Sequence, residues 1–436
     1  MAAAFLLLWV AGTSAARAMS NNASYFISLG GSNTCGHYVH PSLTFHAMVA
    51  RGLVNSSLIS HAANRCTPAM GPDAATTCLG SVLPMGRVAY ATVEYLPNML
   101  TRESAQREAF DSLLGALSAR GVRVVVVNVL PQKRARNVFA RLPWIEAANN
   151  ARAAELGMAR LTVAQTSEDS PLFHREHLSV NGHAEVARHV LAIFERWDAP
   201  DARAARGGAT AALSQTASST TASCAIGAGL EPALVKATGF ARADIRGVGA
   251  REPKIVWEAR EPGAYLALCA VAAGRFPNGS SLLIGLQMSH ELNLPLMGVA
   301  SLSCAGCACA MARRPPLAAQ PCPQPGSGPM CTVDLLQRTS RTTETVFIRL
   351  DADVPLDRAF GPAACACELH VRSAPAPGSA RARLLVRALL VTDRDPTRVA
   401  VSHGAHRAVA AIDKFGLVAG RRLQACCTTN AAILSA

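Results

Sequence analysis

The sequence predicts an α/β protein in two parts: a three-layer α/β/α sandwich built on a parallel sheet, followed by a β-sandwich. In residues 24–198, apolar runs of strand length alternate with segments whose apolar residues recur at helical spacing, the pattern of a parallel sheet covered by helices. In residues 224–394, short apolar runs are separated by Gly, Pro and Asn, which is typical of a sandwich. Between these parts, residues 199–223 are mainly Ala, Arg, Gly, Ser and Thr, so we expect a flexible linker.

The first part contains strand candidates and helix candidates in alternation. The strand candidates are residues 25–29, 88–96 and 122–130. The helix candidates are residues 104–120, 144–156 and 183–197. The third strand is a valine-rich run stopped by Pro131, as expected of a parallel strand buried on both faces, and the first helix ends before Gly121. Strands alternating with helices in this way predict right-handed crossovers and a doubly covered sheet.

The second part contains short strand candidates and few helical patterns. The strand candidates are residues 264–268, 281–286, 345–350 and 382–391. Turn-forming residues separate them, which favours a sandwich of antiparallel sheets. Residues 395–436 have weak periodicity, and we expect them to form a loosely held tail.

Composition and charge exclude some classes of function. The net charge of +13 is carried mainly by Arg, which is spread along the chain without aromatic residues between, so we do not expect nucleic-acid binding. Residues 1–20 hold an apolar run of about ten residues followed by small residues, which predicts a secretory signal segment. No stretch approaches the ~20 apolar residues of a membrane-spanning helix, so we expect no stable transmembrane span.

Cysteines and glycosylation sequons also indicate the secretory pathway. The chain has 14 cysteines, and ten of them lie between Cys269 and Cys427. Sequons for N-glycosylation occur at Asn22, Asn55 and Asn278. So many cysteines are typical of an oxidising compartment, and we predict a secreted or extracellular glycoprotein with disulfide bonds.

Two cysteine clusters in the second part allow a different interpretation. Cys304-Ala-Gly-Cys307-Ala-Cys309 and Cys365-Ala-Cys367 have spacings that zinc ligands also use. Because zinc sites of this type are usually intracellular, we favour disulfides and keep a zinc-stabilised interaction module as an alternative. The connectivity of the disulfides does not follow from the sequence.

Three polar residues follow or lie near strand ends in the first part. Ser32 follows the first strand in the segment Gly30-Gly31-Ser32, Asn98 follows the second, and His177 lies on a later loop. The carboxyl ends of parallel strands share one edge, so these side chains can meet there. A serine needs a base to become a nucleophile, and an Asn amide can donate to an oxyanion. The simpler alternative is that the glycines only form a tight turn.

These motifs resemble the SGNH (GDSL-like) hydrolase family over residues 25–198, since that family combines a Gly-rich serine segment, an Asn after a strand and a His-x-Ser-x-x-Gly-His pattern. The two-part layout is similar to SGNH-type esterase-like proteins of algae and plants. The resemblance implies that Ser32 is the nucleophile and His177 the base. It implies an oxyanion hole formed by the backbone N–H of Ser32, by Asn98 and by a glycine that corresponds to Gly71. It implies no metal and no organic cofactor.

The chain departs from the family pattern at three positions. Gly31 stands where the family usually has Asp, and Met99 follows Asn98 where Asp is usual. His174 occupies the position of the aspartate three residues before the base. In related triads, loss of this carboxylate costs several orders of magnitude in rate. The chain then carries either a Ser-His dyad or a catalytically inactive site.

The function expected from the sequence is that of a serine esterase with an ester substrate, including O-acetylated glycans. One alternative is a catalytically inactive SGNH-like protein that binds glycans. The zinc-stabilised module is the other alternative. Hydrolysis that depends on Ser32 would distinguish the esterase from both alternatives. Stoichiometric bound metal would indicate the zinc-stabilised module.

Overall fold

The structure is a computed structural model, and it describes the chain in twelve segments. These are residues 24–84, 86–100, 103–131, 137–199, 223–245, 254–272, 280–288, 298–311, 331–334, 344–353, 365–375 and 382–393. The predicted signal segment, residues 200–222 of the predicted linker and the predicted tail lie outside the described residues. So do the sequons at Asn22 and Asn278, whereas Asn55 is described and exposed at the end of a helix.

The N-terminal region, residues 24–199, is built on a five-stranded parallel sheet with the order β2-β1-β3-β4-β5. A two-stranded antiparallel hairpin, β6-β7, lies apart from that sheet. The strands are β1 (Ser24–Gly30), β2 (His61–Cys66), β3 (Arg87–Glu94), β4 (Arg123–Leu130), β5 (Ala159–Ala164), β6 (Phe173–His174) and β7 (His177–Leu178).

Seven α-helices and three 3-10 helices are described in this region. The α-helices are α1 (Ser32–Cys35), α2 (Phe45–Asn55), α3 (Pro72–Thr77), α4 (Leu79–Val82), α5 (Glu103–Ala119), α6 (Leu142–Glu155) and α7 (Val180–Asp198). The 3-10 helices are η1 (Pro41–Leu43), η2 (Leu96–Met99) and η3 (Asn137–Arg141).

Helices cover both faces of the parallel sheet. On one face, Phe110 and Leu114 of α5 and Ile145 of α6 are buried against the sheet. On the other face, Phe45 of α2 and Phe194 of α7 are buried. The N-terminal region is therefore the three-layer α/β/α sandwich that the sequence predicts.

Strand β4 contributes to the apolar core on both faces of the sheet. Val124 and Val126 belong to the cluster with α5 and α6, whereas Val125, Val127 and Val129 belong to the cluster with α2 and α7. Successive side chains of a strand point to opposite faces, so a continuous run of valines fills both layers. This is why the run is recognisable in the sequence.

The C-terminal region, residues 223–393, consists of antiparallel sheets. One seven-stranded sheet has the order β10-β11-β19-β13-β17-β15, with β8 paired to β19, and one five-stranded sheet has the order β16-β14-β18-β12-β9. The elements are β8 (Ser223–Ile226), η4 (Gly227–Ala233), β9 (Leu234–Thr238), β10 (Phe240–Asp244), β11 (Ile255–Ala259), β12 (Tyr265–Ala272), β13 (Ser280–Met288), β14 (Val299–Ala305), β15 (Ala308–Met311), β16 (Cys331–Asp334), β17 (Glu344–Asp353), β18 (Cys365–Ala374) and β19 (Leu384–Asp393).

The two antiparallel sheets share one apolar core. Ile284 and Val386 come from the seven-stranded sheet, and Leu268, Leu302 and Leu369 come from the five-stranded sheet. All five side chains are buried in the same cluster. The C-terminal region is therefore the predicted β-sandwich.

Disulfide bonds join cysteines throughout the described residues. The pairs are Cys35–Cys66, Cys78–Cys224, Cys269–Cys365, Cys304–Cys309 and Cys307–Cys367. The structure pairs the cysteines of both clusters in disulfides, as the sequence favours. The Sγ atoms of Cys304, Cys307, Cys309 and Cys367 all lie within 4.8 Å of one another, so the zinc alternative stays a prediction. The second pair connects the N-terminal region to the C-terminal region, whereas Cys426 and Cys427 lie outside the described residues.

The predicted fold class is confirmed, with differences in detail. Strands β2 and β5 and helix α2 are absent from the sequence prediction, and the second predicted strand ends at Glu94, so that Asn98 lies on η2. One compact unit contains both regions and ends at Thr392. The domain boundaries predicted from the sequence stay predictions. None of the helices in the described segments combines the length and apolar character that a membrane crossing requires.

Candidate active site

Ser32 is the first residue of α1, directly after the carboxyl end of β1. The turn between the two elements is fixed by Gly31, whose backbone N–H donates to the carbonyl oxygen of Glu94 on β3 at 3.1 Å. A Cβ atom at Gly31 would lie 2.0 Å from Oδ1 of Asn98. No larger residue fits there without movement of the Asn98 side chain.

His177 lies on the β6-β7 hairpin and contacts Ser32 directly. Its Nε2 atom is 2.9 Å from Oγ of Ser32, a hydrogen bond that joins residues 145 positions apart. The structure thus brings together the two side chains that the sequence predicts as base and nucleophile. At this distance the imidazole can accept the serine proton, which is the geometry that a general base needs.

Aromatic rings surround the candidate base. The ring of His37 stacks on His177 with centroids 4.7 Å apart, and Tyr38 meets His177 edge to face at 5.3 Å. His174 lies opposite His177 on the hairpin, and the ring of His174 meets Tyr38 edge to face with centroids 4.9 Å apart. Position 174 therefore carries an exposed imidazole.

The charge of His37 matters because its ring stacks on the candidate base. Burial lowers the pKa of His37, and the positive charge of Lys254 from the C-terminal region lowers it further, while Glu176 acts in the opposite direction. A lowered pKa keeps His37 neutral near pH 7. A neutral neighbour does not oppose the positive charge that His177 acquires when it takes a proton.

Asn98 lies close to the serine turn. It is on η2, where its backbone N–H donates to the carbonyl oxygen of Tyr95 at 2.8 Å. Its side-chain amide lies against Gly31, the residue that precedes Ser32. The amide is thus next to the nucleophile turn, as the sequence predicts, although it projects from a 3-10 helix and not from the strand end.

Gly71 lies at the end of a loop that is attached to the serine strand. The backbone N–H of Thr67 donates to the carbonyl oxygen of Gly30 at 2.8 Å, and Gly71 is the N-cap residue of α3. A Cβ atom at Gly71 would lie 2.2 Å from Oε1 of the buried Gln106. The structure therefore links the loop to β1, and it packs Gly71 itself against Gln106.

The C-terminal region holds this same loop. Met70 is fully buried in a cluster with Phe347 and Leu390 of the C-terminal sheets. The carbonyl oxygen of Ala69 accepts a hydrogen bond from the backbone N–H of Thr345 at 3.0 Å. Sequence reasoning missed this contribution, because residues separated by more than two hundred positions share no local pattern.

Glu94 is a buried carboxyl group beneath the serine turn that sequence reasoning also missed. Its Oε2 atom accepts a hydrogen bond from Oγ1 of Thr34 at 3.1 Å. Burial raises the pKa of Glu94 to about 8, while hydrogen bonds from Thr34 oppose this change. The strand end that carries Glu94 is therefore fixed to α1 by a side-chain bond as well as by the backbone bond from Gly31.

His183, the second histidine of the motif, has a different environment. Its Nδ1 atom accepts a hydrogen bond from the backbone N–H of Phe45, the first residue of α2, at 3.1 Å. Burial lowers the pKa of His183 to about 4, so the ring is neutral at pH 7. This hydrogen bond satisfies a backbone N–H at the start of α2, so His183 has a structural role.

Comparisons with known proteins support the fold. No protein-family model matches the sequence, and no curated protein matches it. The structure is similar to a two-domain esterase, CEX, that is active on acetylated mannans, with a TM-score of 0.50 and 13% identity over 88% of this chain and 95% of that chain. At this identity the similarity establishes the fold alone, in both of its regions.

Two further structures cover a smaller share of this chain. TesA aligns with a TM-score of 0.35 and 13% identity over 39% of this chain and 98% of that chain. Est24, a carbohydrate acetylesterase from Sinorhizobium meliloti, aligns with a TM-score of 0.33 and 12% identity over 40% of this chain and 99% of that chain. The conclusion on the fold depends on the two-domain esterase and not on these partial matches.

Proposed function

We propose that this protein is a serine esterase that removes acetyl groups from O-acetylated glycans. The observation that carries the proposal is the 2.9 Å hydrogen bond between Nε2 of His177 and Oγ of Ser32. A serine after a strand and a histidine on a hairpin 145 residues later have no structural need to meet. Their contact beside the Asn98 amide supports a nucleophile, its base and an oxyanion donor in one site.

In the first half of the reaction, His177 takes the proton of Ser32 while the serine oxygen bonds to the acetyl carbonyl carbon. The negative charge on the carbonyl oxygen is stabilised by the Asn98 amide and by backbone N–H groups, among which we include those of Ser32 and Gly71. The carbon–oxygen bond to the sugar then breaks. The sugar hydroxyl leaves with the proton from His177, and the acetyl group stays on Ser32.

In the second half, a water molecule gives its proton to His177 and bonds to the acetyl carbon. Collapse of this intermediate breaks the bond to the serine oxygen, which recovers its proton from His177. Acetate leaves, and the enzyme returns to its starting state. No metal or organic cofactor enters either half.

The two-domain architecture supports this substrate class. The two-domain esterase of the same fold acts on acetylated mannans, and a sandwich beside the hydrolase region offers surface for a polymeric glycan. Disulfides in both regions favour an oxidising compartment, where such polymers occur. The similarity to algal and plant proteins, the secretion signal and the absence of nucleic-acid binding stay predictions.

Hydrolysis of an aryl acetate and of acetylated glucomannan by wild type and Ser32→Ala tests the proposal. We expect acetate release from both substrates by wild type and its loss by a factor of at least about 10³ in Ser32→Ala. Ser42→Ala, which changes an exposed serine on η1, is the matched control and should retain wild-type activity. Wild-type turnover that Ser32→Ala leaves intact would exclude Ser32 as the nucleophile.

A non-catalytic glycan-binding protein is the competing function, and His174 at the aspartate position favours it. Such a protein would bind acetylated glucomannan without releasing acetate. Titration calorimetry combined with an acetate assay separates the alternatives, because binding of the glycan by wild type without release of acetate indicates the binding protein.

A further inference from the structure

Asn33, the residue after the candidate nucleophile, is a buried polar side chain that the proposed mechanism does not use. It is 2% exposed. Its Oδ1 atom accepts a hydrogen bond from the backbone N–H of Leu178 at 3.0 Å. A buried amide is costly unless it is hydrogen-bonded, so this contact explains why Asn33 is tolerated there.

The contact from Asn33 runs parallel to the contact from Ser32. Ser32 and Asn33 are neighbours on α1, and they bond to His177 and Leu178, which are neighbours on β7. The two hydrogen bonds, 2.9 Å and 3.0 Å long, attach the hairpin to α1 at two points. Two points of attachment fix the rotation of β7 as well as its distance from the serine.

The hairpin is short, and apart from its buried Phe173 and Leu178 side chains it lies outside the parallel sheet. Each of its strands has only two residues, and short isolated hairpins are marginally stable. Arg175 in its turn adopts a left-handed conformation with φ of 58°. The side chain of Leu178 is fully buried, and because successive strand residues point to opposite sides, this burial directs His177 away from the core.

On its other side, α1 is anchored to the parallel sheet. Thr34 donates to the side-chain carboxyl group of Glu94, and Gly31 donates to the Glu94 carbonyl oxygen. The Asn33 side chain also forms a hydrogen bond with this carboxyl group, which opposes the rise in its pKa. A continuous set of contacts thus leads from the end of β3 through α1 to the strand that carries the base.

We propose that Asn33 is a positioning residue that holds His177 against Ser32 through the backbone of Leu178, in a hairpin that lacks a carboxylate at position 174. This inference rests on the proposed function. A base must stay within hydrogen-bond reach of the proton that it takes, and a displacement of about 1 Å can cost about 100-fold in rate. Asn33 supplies the restraint on position, while the ring cluster of His37, Tyr38 and His174 surrounds the imidazole.

The central test compares Asn33→Leu with Thr34→Val. The first change removes the acceptor for Leu178 at nearly constant volume. The second removes the hydroxyl that binds Glu94 on the same short helix and leaves the Leu178 contact in place, so it controls for general loosening of α1. We expect Asn33→Leu to lower kcat for aryl acetate about 10- to 100-fold with little change in KM, and Thr34→Val to lower it by a smaller factor, which measures the part that comes from general loosening of α1.

A second variant tests whether Asn33 acts through the base. His174 and His177 are directly opposed on the hairpin, and such pairs have Cβ atoms about 5 Å apart, so an aspartate at position 174 can reach the imidazole. We expect that adding His174→Asp to the Asn33→Leu variant raises its kcat at least about tenfold. It should also move the acid limb of the pH profile to higher pH, because a carboxylate raises the pKa of a neighbouring imidazole. A purely structural defect would not be rescued in this way.

Hydrogen exchange at the Leu178 amide provides a readout that does not depend on turnover. We expect faster exchange in Asn33→Leu and unchanged exchange in Thr34→Val, with circular dichroism showing that both proteins are folded. Wild-type kcat in Asn33→Leu, or a failure of His174→Asp to rescue it, would overturn the positioning role.

If wild type shows no turnover dependent on Ser32, the proposed function fails and the positioning role fails with it. In that case, hydrogen exchange at the Leu178 amide still reports whether the hydrogen bond between Asn33 and Leu178 exists. The two failures are therefore distinguishable.

Discussion

The two sides of the candidate site are held in place by different means. On the base side, the hairpin that carries His177 is attached by hydrogen bonds to α1, within the N-terminal region. The loop that carries Gly71 is attached to β1 by one backbone bond, and Met70 on it is buried against the C-terminal region. The difference shows that the β-sandwich is more than an appended module, since it packs on a loop of the proposed oxyanion hole.

The largest expected effect comes from cutting the covalent link between the two regions. Replacement of both Cys78 and Cys224 by Ser should lower the free energy of unfolding by about 5 kcal/mol, because the bond closes a loop of 146 residues. It should also lower kcat, since Cys78 directly follows α3, the helix that Gly71 caps. Denaturant unfolding and aryl acetate kinetics measure the two effects.

The matched control for that variant is the disulfide between Cys269 and Cys365. It closes a loop of 96 residues within the C-terminal region, so the loss of stability should be similar. Its removal should leave kcat unchanged if only the contact between regions matters. Equal losses of kcat in the two double variants would contradict the special role of the link at α3.

Met70→Ala weakens the attachment of the loop without breaking a covalent bond. Met70 is fully buried among Phe347, Ala388 and Leu390, so its truncation should cost about 3 kcal/mol in the free energy of unfolding. Met70→Leu keeps the volume and should cost less than about 1.5 kcal/mol. We expect kcat to follow the same order in the two variants. A kcat that is equally low in both would point away from packing as the cause.

Gly31→Ala probes the point where the two sides meet the serine turn. The new Cβ would lie 2.0 Å from Oδ1 of Asn98, and this atom is the end of a side chain that can move. We therefore expect little change in stability and a loss of about 100-fold in kcat, as for removal of one oxyanion donor. Gly115→Ala is the control, because the nearest atom to its new Cβ is 3.8 Å away. The control should keep wild-type kcat.

Much of the fold is readable from local pattern, and the exceptions have physical reasons. Strand β4 is a run of valines, whereas β2 has the sequence His-Ala-Ala-Asn-Arg-Cys and is largely exposed at the sheet edge, so it carries no apolar signal. Strand β5, at the other edge, is also half exposed and was missed for the same reason.

The candidate site divides in a similar way. Ser32, Asn98 and His177 follow from a motif and from the rule that parallel strands end at one edge. Asn33 gives no such signal, because a small polar residue after a serine is indistinguishable from a turn residue until its partner at Leu178 is known. The contacts of Met70 depend on tertiary packing between distant segments.

The smallest expected effect, per substitution or per unit of pH, separates the two sides by how their stability responds to pH. The base side is anchored on Glu94, whose pKa burial raises from 4.5 to about 8, while the loop side is anchored by apolar packing that does not titrate. Between about pH 4.5 and 8 the unfolded chain releases this proton and the folded chain keeps it. Glu94 therefore makes the free energy of unfolding fall as the pH rises through this window, by up to about 1.4 kcal/mol per pH unit.

Glu94→Gln removes this titration, so the stability of wild type relative to the variant should decline from pH 4.5 to 8 in denaturant unfolding. The buried His46 and His183, whose pKa values are lowered to about 4, titrate in both proteins and cancel in the difference. Glu185→Gln is the control of opposite sign, because Arg188 lowers the pKa of Glu185. Parallel pH profiles for wild type and Glu94→Gln would mean that the pKa of Glu94 is not raised in the folded protein, and the contact from Thr34 would then be a hydrogen bond to a carboxylate.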